Sequence, residues 1–158
     1  MTTQTLASPT TASYRETSHK TQGDGFFEAL CGVQGVYYLA TGIWPLVSMR
    51  TFEQVTGRKT DNWTGREGDH WLVKTVGVLV TAVGAALLTA GRRRENVAAV
   101  PVLAAGSALG LAAIDCVYVA RGVIAPIYLA DAVAEVGLAA AWAWQASREQ
   151  TRQTTSGQ

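Results

Sequence analysis

Residues 71–90 read WLVKTVGVLVTAVGAALLTA, and this stretch decides the fold class. Lys74 is its only charged side chain, so no polar stripe runs along the helix that it would form. A helix at the surface of a soluble protein keeps such a stripe, whereas about 20 apolar residues cross a bilayer core about 30 Å thick. The stretch therefore predicts a transmembrane helix.

Three further segments have a comparable length and composition. They are residues 26–47, which include Glu28 and Pro45, residues 97–120, which include Asp115, and residues 124–144, which include Asp131 and Glu135. A chain of 158 residues cannot surround several such helices with protein, so lipid must supply their environment. We therefore expect an all-α protein, a bundle of four transmembrane helices within residues 26–146. The polar residues 1–25 and 147–158 are expected to be disordered tails.

The segment after the first span has a different pattern. Apolar residues recur at near-helical spacing at Leu46, Met49, Phe52 and Val55, among polar neighbours. This pattern predicts a short amphipathic helix that lies on the membrane surface and is ended by Gly57. Residues 58–70 are polar and contain glycine, so we expect a loop there.

Basic residues predict the orientation of the bundle. Arg92, Arg93 and Arg94 form a cluster between the second and third spans, and the positive-inside rule places that connection in the cytoplasm. Four spans then place both termini in the cytoplasm, and the chain is expected to be a multi-pass protein of the cell membrane. The formal net charge of +1 implies no nucleic-acid partner.

Aromatic residues near the predicted helix ends are expected to anchor the bundle at the membrane interfaces, because amphipathic rings prefer the headgroup level. These residues are Trp44, Trp71, Tyr118, Tyr128, Trp142 and Trp144.

Glycines mark the faces on which the helices are expected to pack. Gly77 and Gly84 lie seven residues apart on the second span, and Gly106 and Gly110 form a GxxxG on the third. Small residues let membrane helices approach closely, which is how such helices associate in lipid. Packing within the chain is one interpretation, and a homodimer seam through Gly106 and Gly110 is the other.

Ionisable residues inside the spans indicate a candidate site, because each charge in hydrocarbon costs on the order of 3 kcal/mol. Under the predicted topology Lys74, Asp115, Asp131 and Glu135 all fall in the outer half of the membrane. Asp131 and Glu135 share one helix face at i, i+4 spacing. We therefore expect one intramembrane polar cluster. Arg121 and Arg50 could reach it from the rim, and Tyr38, Tyr118 and Tyr128 could supply hydroxyl groups.

Two interpretations of this cluster stay open at this stage. The acids exceed the buried base in number, so either arginines neutralise them or one carboxyl carries a proton, Glu135 being the deepest. The cluster then either pins the helices together or forms a functional pocket. His70 beside Asp69 lacks further metal ligands, and Cys31 and Cys116 lack a CxxC spacing, so no metal site is predicted.

Two stretches carry a resemblance to a known group of proteins. Residues 44–61 read WPLVSMRTFEQVTGRKTD, and residues 71–77 read WLVKTVG. Together they resemble small bacterial four-helix membrane proteins similar to the DoxX-like group, over residues 26–144. Residues 62–70 look like an insertion relative to that group. The resemblance implies the four-helix fold, and DoxX-like proteins are associated with redox or quinone-linked partners in the membrane.

The sequence favours no single activity. A structural, subunit or small-molecule-binding role is the first hypothesis, with the lipid bilayer and a second copy or another membrane protein as partners. A proton-coupled transporter or a membrane enzyme acting on a lipid or quinone, with Asp115, Asp131 and Glu135 as its acids, is the alternative. No haem, flavin or iron–sulfur ligand set is present in the sequence, so no cofactor is predicted.

Overall fold

The computed structural model describes the backbone of residues 11–56, 70–95 and 97–156, and the side chains of residues 25–56, 70–95 and 97–151. Over these residues the chain is all-helical and contains no strand. The helices are α1 (Thr11–Val47), α2 (Met49–Thr56), α3 (His70–Arg93), α4 (Ala99–Ala120) and α5 (Tyr128–Ser156). The all-α prediction is confirmed.

Three of these helices are long and apolar enough to cross a membrane, namely Gly25–Val47 of α1, α3 and α4. Large apolar side chains on all three turn outward: Val33 is 62% exposed, Leu79 61% and Val102 73%. A soluble monomer rarely presents such extensive apolar surface to water, whereas a bilayer solvates it. The chain is therefore a membrane-inserted protein.

The helix bounds differ from the predicted spans mainly at the polar ends of the chain. Residues 11–25 were predicted to be a disordered tail, but α1 already begins at Thr11, and α5 continues through the other predicted tail to Ser156. A helix that is already nucleated extends at little cost, so α1 and α5 both continue into polar sequence. Residues 1–10 and 157–158 of those tails, and residues 58–69 of the predicted loop, lie outside the described residues.

The turn between α4 and α5 explains why α5 begins at Tyr128 rather than at residue 124. Gly122 adopts a φ of 69°, and the Val123 N–H donates to the Tyr118 carbonyl, which closes the end of α4. Pro126 has no N–H and disfavours a helical residue before it. The new helix therefore starts after the proline.

The short helix predicted after the first span is present as α2. It follows α1 directly, and Pro45 lies in the last turn of α1. The Trp44 Nε1–H donates to the Thr51 hydroxyl at 3.0 Å, and the Trp44 ring packs edge-on against Phe52. Thr56 is buried whereas Val55 is 54% exposed, so α2 lies with one face against the rest of the protein.

Helices α1 and α3 pack antiparallel through facing glycines. A Cβ added at Gly77 would lie 2.7 Å from the Gly42 carbonyl oxygen, and one at Gly84 would lie 2.8 Å from the Gly35 carbonyl oxygen. Contacts this short leave no room for a side chain, so the two backbones touch only because these positions are glycine. Gly77 and Gly84 therefore pack within the chain.

Helix α4 packs most extensively against α5 and uses alanine instead of glycine. Ala104, Ala108 and Ala112 recur at every fourth residue and are almost completely buried. Gly106 and Gly110 lie on another face, where an added Cβ would meet nothing within 4 Å. The stripe of small residues that packs α4 within the chain is thus formed by these alanines. The homodimer seam through Gly106 and Gly110 stays a prediction.

The glycine contact predicts a large difference between two otherwise similar substitutions. We expect Gly84→Ala to lower the free energy of unfolding by about 1–3 kcal/mol, because the new methyl group forces α1 and α3 apart. Gly106→Ala is the matched control, and we expect it to be neutral or slightly stabilising. Unfolding in mixed detergent micelles, followed by far-ultraviolet circular dichroism, measures both. Equal stabilities of the two variants would contradict the packing described here.

Candidate functional site

A cavity of about 380 Å³ lies between the helices. It is bordered by the end of α1, by α2, by the first half of α3, by the second half of α4 and by the start of α5. Most of its wall is apolar and includes Leu72, Val76, Val80, Leu111, Ile114 and Ile127. Ligand sites in proteins are concave, mostly apolar and begin at about 300 Å³, so the cavity has the size and character of a small-molecule site.

Three acids line this cavity: Asp115 of α4, and Asp131 and Glu135 of α5. Glu135 is only 1% exposed and Asp115 only 7%. The structure thus brings together, on the wall of one cavity, the three acids that the sequence placed at similar depth. Asp131 and Glu135 do lie one turn apart on α5, as their spacing requires.

Tyr38 of α1 hydrogen-bonds to Glu135, the least exposed of the three acids. Its hydroxyl lies 2.9 Å from Oε2 of Glu135 and 3.3 Å from Oγ of Ser107, and the Ser107 hydroxyl donates to the Ala104 carbonyl at 3.0 Å. Tyr38 is itself completely buried. These contacts form a hydrogen-bonded chain that runs from α5 through α1 to α4.

The hydrogen-bonded chain of Glu135, Tyr38 and Ser107 can form with Glu135 either protonated or ionised. A tyrosine hydroxyl has one hydrogen and can also accept. When Glu135 is ionised, Tyr38 donates to it. When Glu135 is protonated, the acid donates to Tyr38, which donates in turn to Ser107. A carboxyl that is buried beside an apolar cavity and can exchange its proton without losing its hydrogen bonds is suited to proton-dependent binding or to general acid–base chemistry.

Tyr37 hydrogen-bonds to the second acid of α5, Asp131. Its hydroxyl donates to Oδ1 of Asp131, so consecutive tyrosines of α1 reach two acids one turn apart on α5. The sequence singled out Tyr38 but not Tyr37. Of the other two predicted hydroxyl donors, Tyr128 lines the cavity, whereas Tyr118 is exposed with the Arg121 guanidinium 6.0 Å from its ring centroid.

A second polar layer lies deeper along α1, on the side of Tyr38 away from Pro45. Gln34 accepts a hydrogen bond from Nε1 of Trp142 at 2.6 Å and donates one to the Ala104 carbonyl at 2.9 Å. Both side chains are essentially inaccessible to solvent. Trp142 was predicted to anchor at the membrane interface, and that prediction is wrong, because its indole N–H finds its partner inside the protein. Gln34 was not predicted from the sequence to be a site residue, although it is the only amide in the middle of the first span.

The basic residues predicted for the cluster lie elsewhere. Lys74, Arg121 and Arg50 are all exposed, and none of them lines the cavity. No described residue of the cavity wall is lysine, arginine or histidine. Long basic side chains near helix ends extend toward the polar rim, where their charge stays hydrated. Among the described residues, Asp131 and Glu135 therefore contact tyrosine hydroxyl groups, and the cavity wall around them is mostly apolar.

Two further observations limit the chemistry that can be assigned to this site. Among the described side chains, no group of three His, Cys, Asp or Glu residues could hold a metal ion. Comparison with family models, curated proteins and solved structures finds no match to this chain. The resemblance to the DoxX-like group therefore stays a prediction, and the cavity is the basis for assigning a function.

The contact between Tyr38 and Glu135 predicts a selective loss of stability. We expect Tyr38→Phe to lower the free energy of unfolding by about 1–3 kcal/mol, because a buried carboxyl loses its hydroxyl partner. Tyr118→Phe is the matched control, since its ring is exposed, and should change stability little. Detergent-induced unfolding compares them. A Tyr38→Phe variant as stable as Tyr118→Phe would refute the contact.

Proposed function

We propose that this chain is a four-span membrane protein that binds a small lipophilic molecule in the cavity between its helices. The observation that supports the proposal is the cavity itself, a volume of about 380 Å³ with apolar walls and three carboxyl groups. A ligand of that kind reaches the cavity from the bilayer, in which it is already concentrated.

The proposal includes α5 as the fourth span. Its outward face is apolar: Val133 is 74% exposed and Val136 53%. Its two acids in this region, Asp131 and Glu135, are turned inward to Tyr37 and Tyr38. They lower the average hydropathy of α5 without facing lipid. Residues 128–147 would form a helix about 30 Å long, enough to cross the hydrocarbon core.

The proposed orientation follows from the basic residues at one end of the bundle. Arg93 and Arg94, which pair with Glu95 and Glu28, lie at the end of α3, and Arg148 lies over the Trp144 ring on α5. The positive-inside rule assigns this basic end to the cytoplasm. The cavity then lies toward the outer side, and both termini are cytoplasmic in the cell membrane.

Cysteine labelling tests the four-span topology in the full chain. In a background with Cys31 and Cys116 replaced, Val123→Cys should react with a membrane-impermeant maleimide on intact cells. Glu95→Cys and Thr151→Cys should react only after the cells are permeabilised, because four spans put them on the opposite side. Labelling of residues 123 and 151 from the same side would show that α5 does not cross the membrane.

A purely structural role for the acids does not account for the open volume. Protein interiors are close-packed and contain few voids larger than a water molecule. The layer of Gln34, Trp142 and Ala104 in the same protein is closed to solvent, so these helices can pack without a gap. The cavity is therefore specific to the part of the bundle that holds the acids. Its presence there favours a binding role for the acids over a role limited to holding the helices together.

Filling the cavity tests the binding role. We expect Val80→Phe, on the cavity wall, to remove most of the small lipophilic molecules that co-purify with the protein. Val78→Phe is the matched control on the same helix, because Val78 is 54% exposed and does not line the cavity. Mass spectrometry of organic extracts from the purified variants measures the bound molecules. Equal amounts bound to both variants, or none bound to the wild type, would refute the proposal.

A further inference from the structure

Helix α2 is the shortest described helix that borders the cavity, and it lies at one end of it. Phe52 and Thr56 line the cavity one turn apart on this helix, whereas Val55 faces outward. From α2 the cavity runs into the bundle as far as Val80, which lies about 15 Å along α3 from its start. The inner face of α2 therefore forms part of the wall at the end of the cavity nearest to the starts of α3 and α5.

A helix as short as α2 is not stable by itself, since isolated helices need about 12–15 residues even in favourable sequences. Contacts with the rest of the protein must hold α2 in place. At its start, Ser48 interrupts the helix between α1 and α2, and Trp44 contacts Thr51 and Phe52 across that break. These contacts keep the start of α2 near the end of α1, but they do not fix the rest of α2 against the other helices.

A contact between α2 and α3 fixes the later part of α2. Oε1 of Glu53 lies 2.6 Å from Nε2 of His70, the first residue of α3, although the two residues are 17 positions apart in the sequence. Their side chains are only 20% and 28% exposed, so salt and water screen the contact less than they would at a fully exposed surface. Glu53 is adjacent to Phe52, and the contact thus holds the lining face of α2 against the cavity.

We propose that α2 is a lid that controls access to the cavity and that the Glu53–His70 contact holds it closed, an inference that rests on the binding role proposed above. Once that contact breaks, rotation at Ser48 moves Phe52 and Thr56 away from the wall and opens the cavity to the membrane surface. Lid motions of this kind set the rate at which a bound molecule exchanges.

The membrane surface stabilises the open position of the lid. Met49, Phe52 and Val55 give α2 an amphipathic pattern, and a helix of this pattern lies favourably in the lipid interface. Phe52 therefore exchanges an apolar cavity for an apolar part of the interface when the lid opens. The Glu53–His70 contact is then the interaction that distinguishes the closed position from the open one.

A cysteine on the cavity wall measures access to the cavity directly. In a background with Cys31 and Cys116 replaced, Val80→Cys places a thiol deep in the cavity. The probe is N-ethylmaleimide, a small uncharged reagent, and mass spectrometry of the full chain in detergent follows the rate of its addition to that thiol. Val78→Cys, which faces outward on the same helix, is the matched reporter for access that does not depend on the lid.

Two variants and their combination test the contact. We expect Glu53→Ala and His70→Ala each to raise the reaction rate of Val80→Cys at least about threefold, because each releases α2. Both residues also make other interactions, so the double variant is needed to isolate the contact. The double variant should react no faster than the faster single variant. Gln54→Ala, on the exposed side of α2, is the matched control and should leave the rate unchanged.

Three results would overturn the inference. A Val80→Cys rate that neither substitution changes would show that molecules enter by another route, such as between the spans. Effects that multiply in the double variant would show that the contact does not hold α2 closed. A parallel rise at Val78→Cys would show a general loosening of the bundle instead of the opening of a lid. None of these results affects the binding role, which the co-purified molecules lost in Val80→Phe test separately.

Discussion

The approach of α1 and α3 at their glycines is the contact on which the rest of the structure depends. Lipid tails are as apolar as leucine, so burial of apolar surface does not drive helices together in a bilayer, and close packing must do so. At Gly84 the α1 backbone comes so near that a Cβ would lie 2.8 Å from the Gly35 carbonyl oxygen and 3.0 Å from Tyr38 Cβ. This contact sets both the position and the rotation of α1.

The rotation of α1 determines which side chains meet the other pair of helices. With its glycine face against α3, α1 presents Gln34 and Tyr38 to α4 and α5, where they bond to Ala104 and Glu135. Each of these polar groups is buried, and a buried polar group is stable only when it is hydrogen-bonded. The hydrogen bonds therefore fix the register between the two helix pairs.

The two halves of the protein use polar groups differently. Toward the arginine-rich end, Gln34 and Trp142 satisfy each other and the interior is filled. Toward the other end, three acids line an apolar cavity, and tyrosine hydroxyl groups hydrogen-bond to two of them, Asp131 and Glu135. Hydroxyl partners can serve a carboxyl in either charge state, whereas an arginine would hold it ionised. The Tyr38 hydroxyl can therefore keep its hydrogen bond to Glu135 in either charge state of that acid.

The sequence by itself determined the helical class, three helices long and apolar enough to cross a membrane, the short helix α2 and the position of Asp131 and Glu135 one turn apart, because length, hydropathy and i, i+4 spacing are local properties. It did not separate glycines that pack, such as Gly77, from those that face outward, such as Gly106, since the two have the same local pattern. Nor did it show that Lys74 lies outside the cavity or that Trp142 is buried. Those outcomes depend on the rotation of each helix about its axis, which only contacts between distant segments decide.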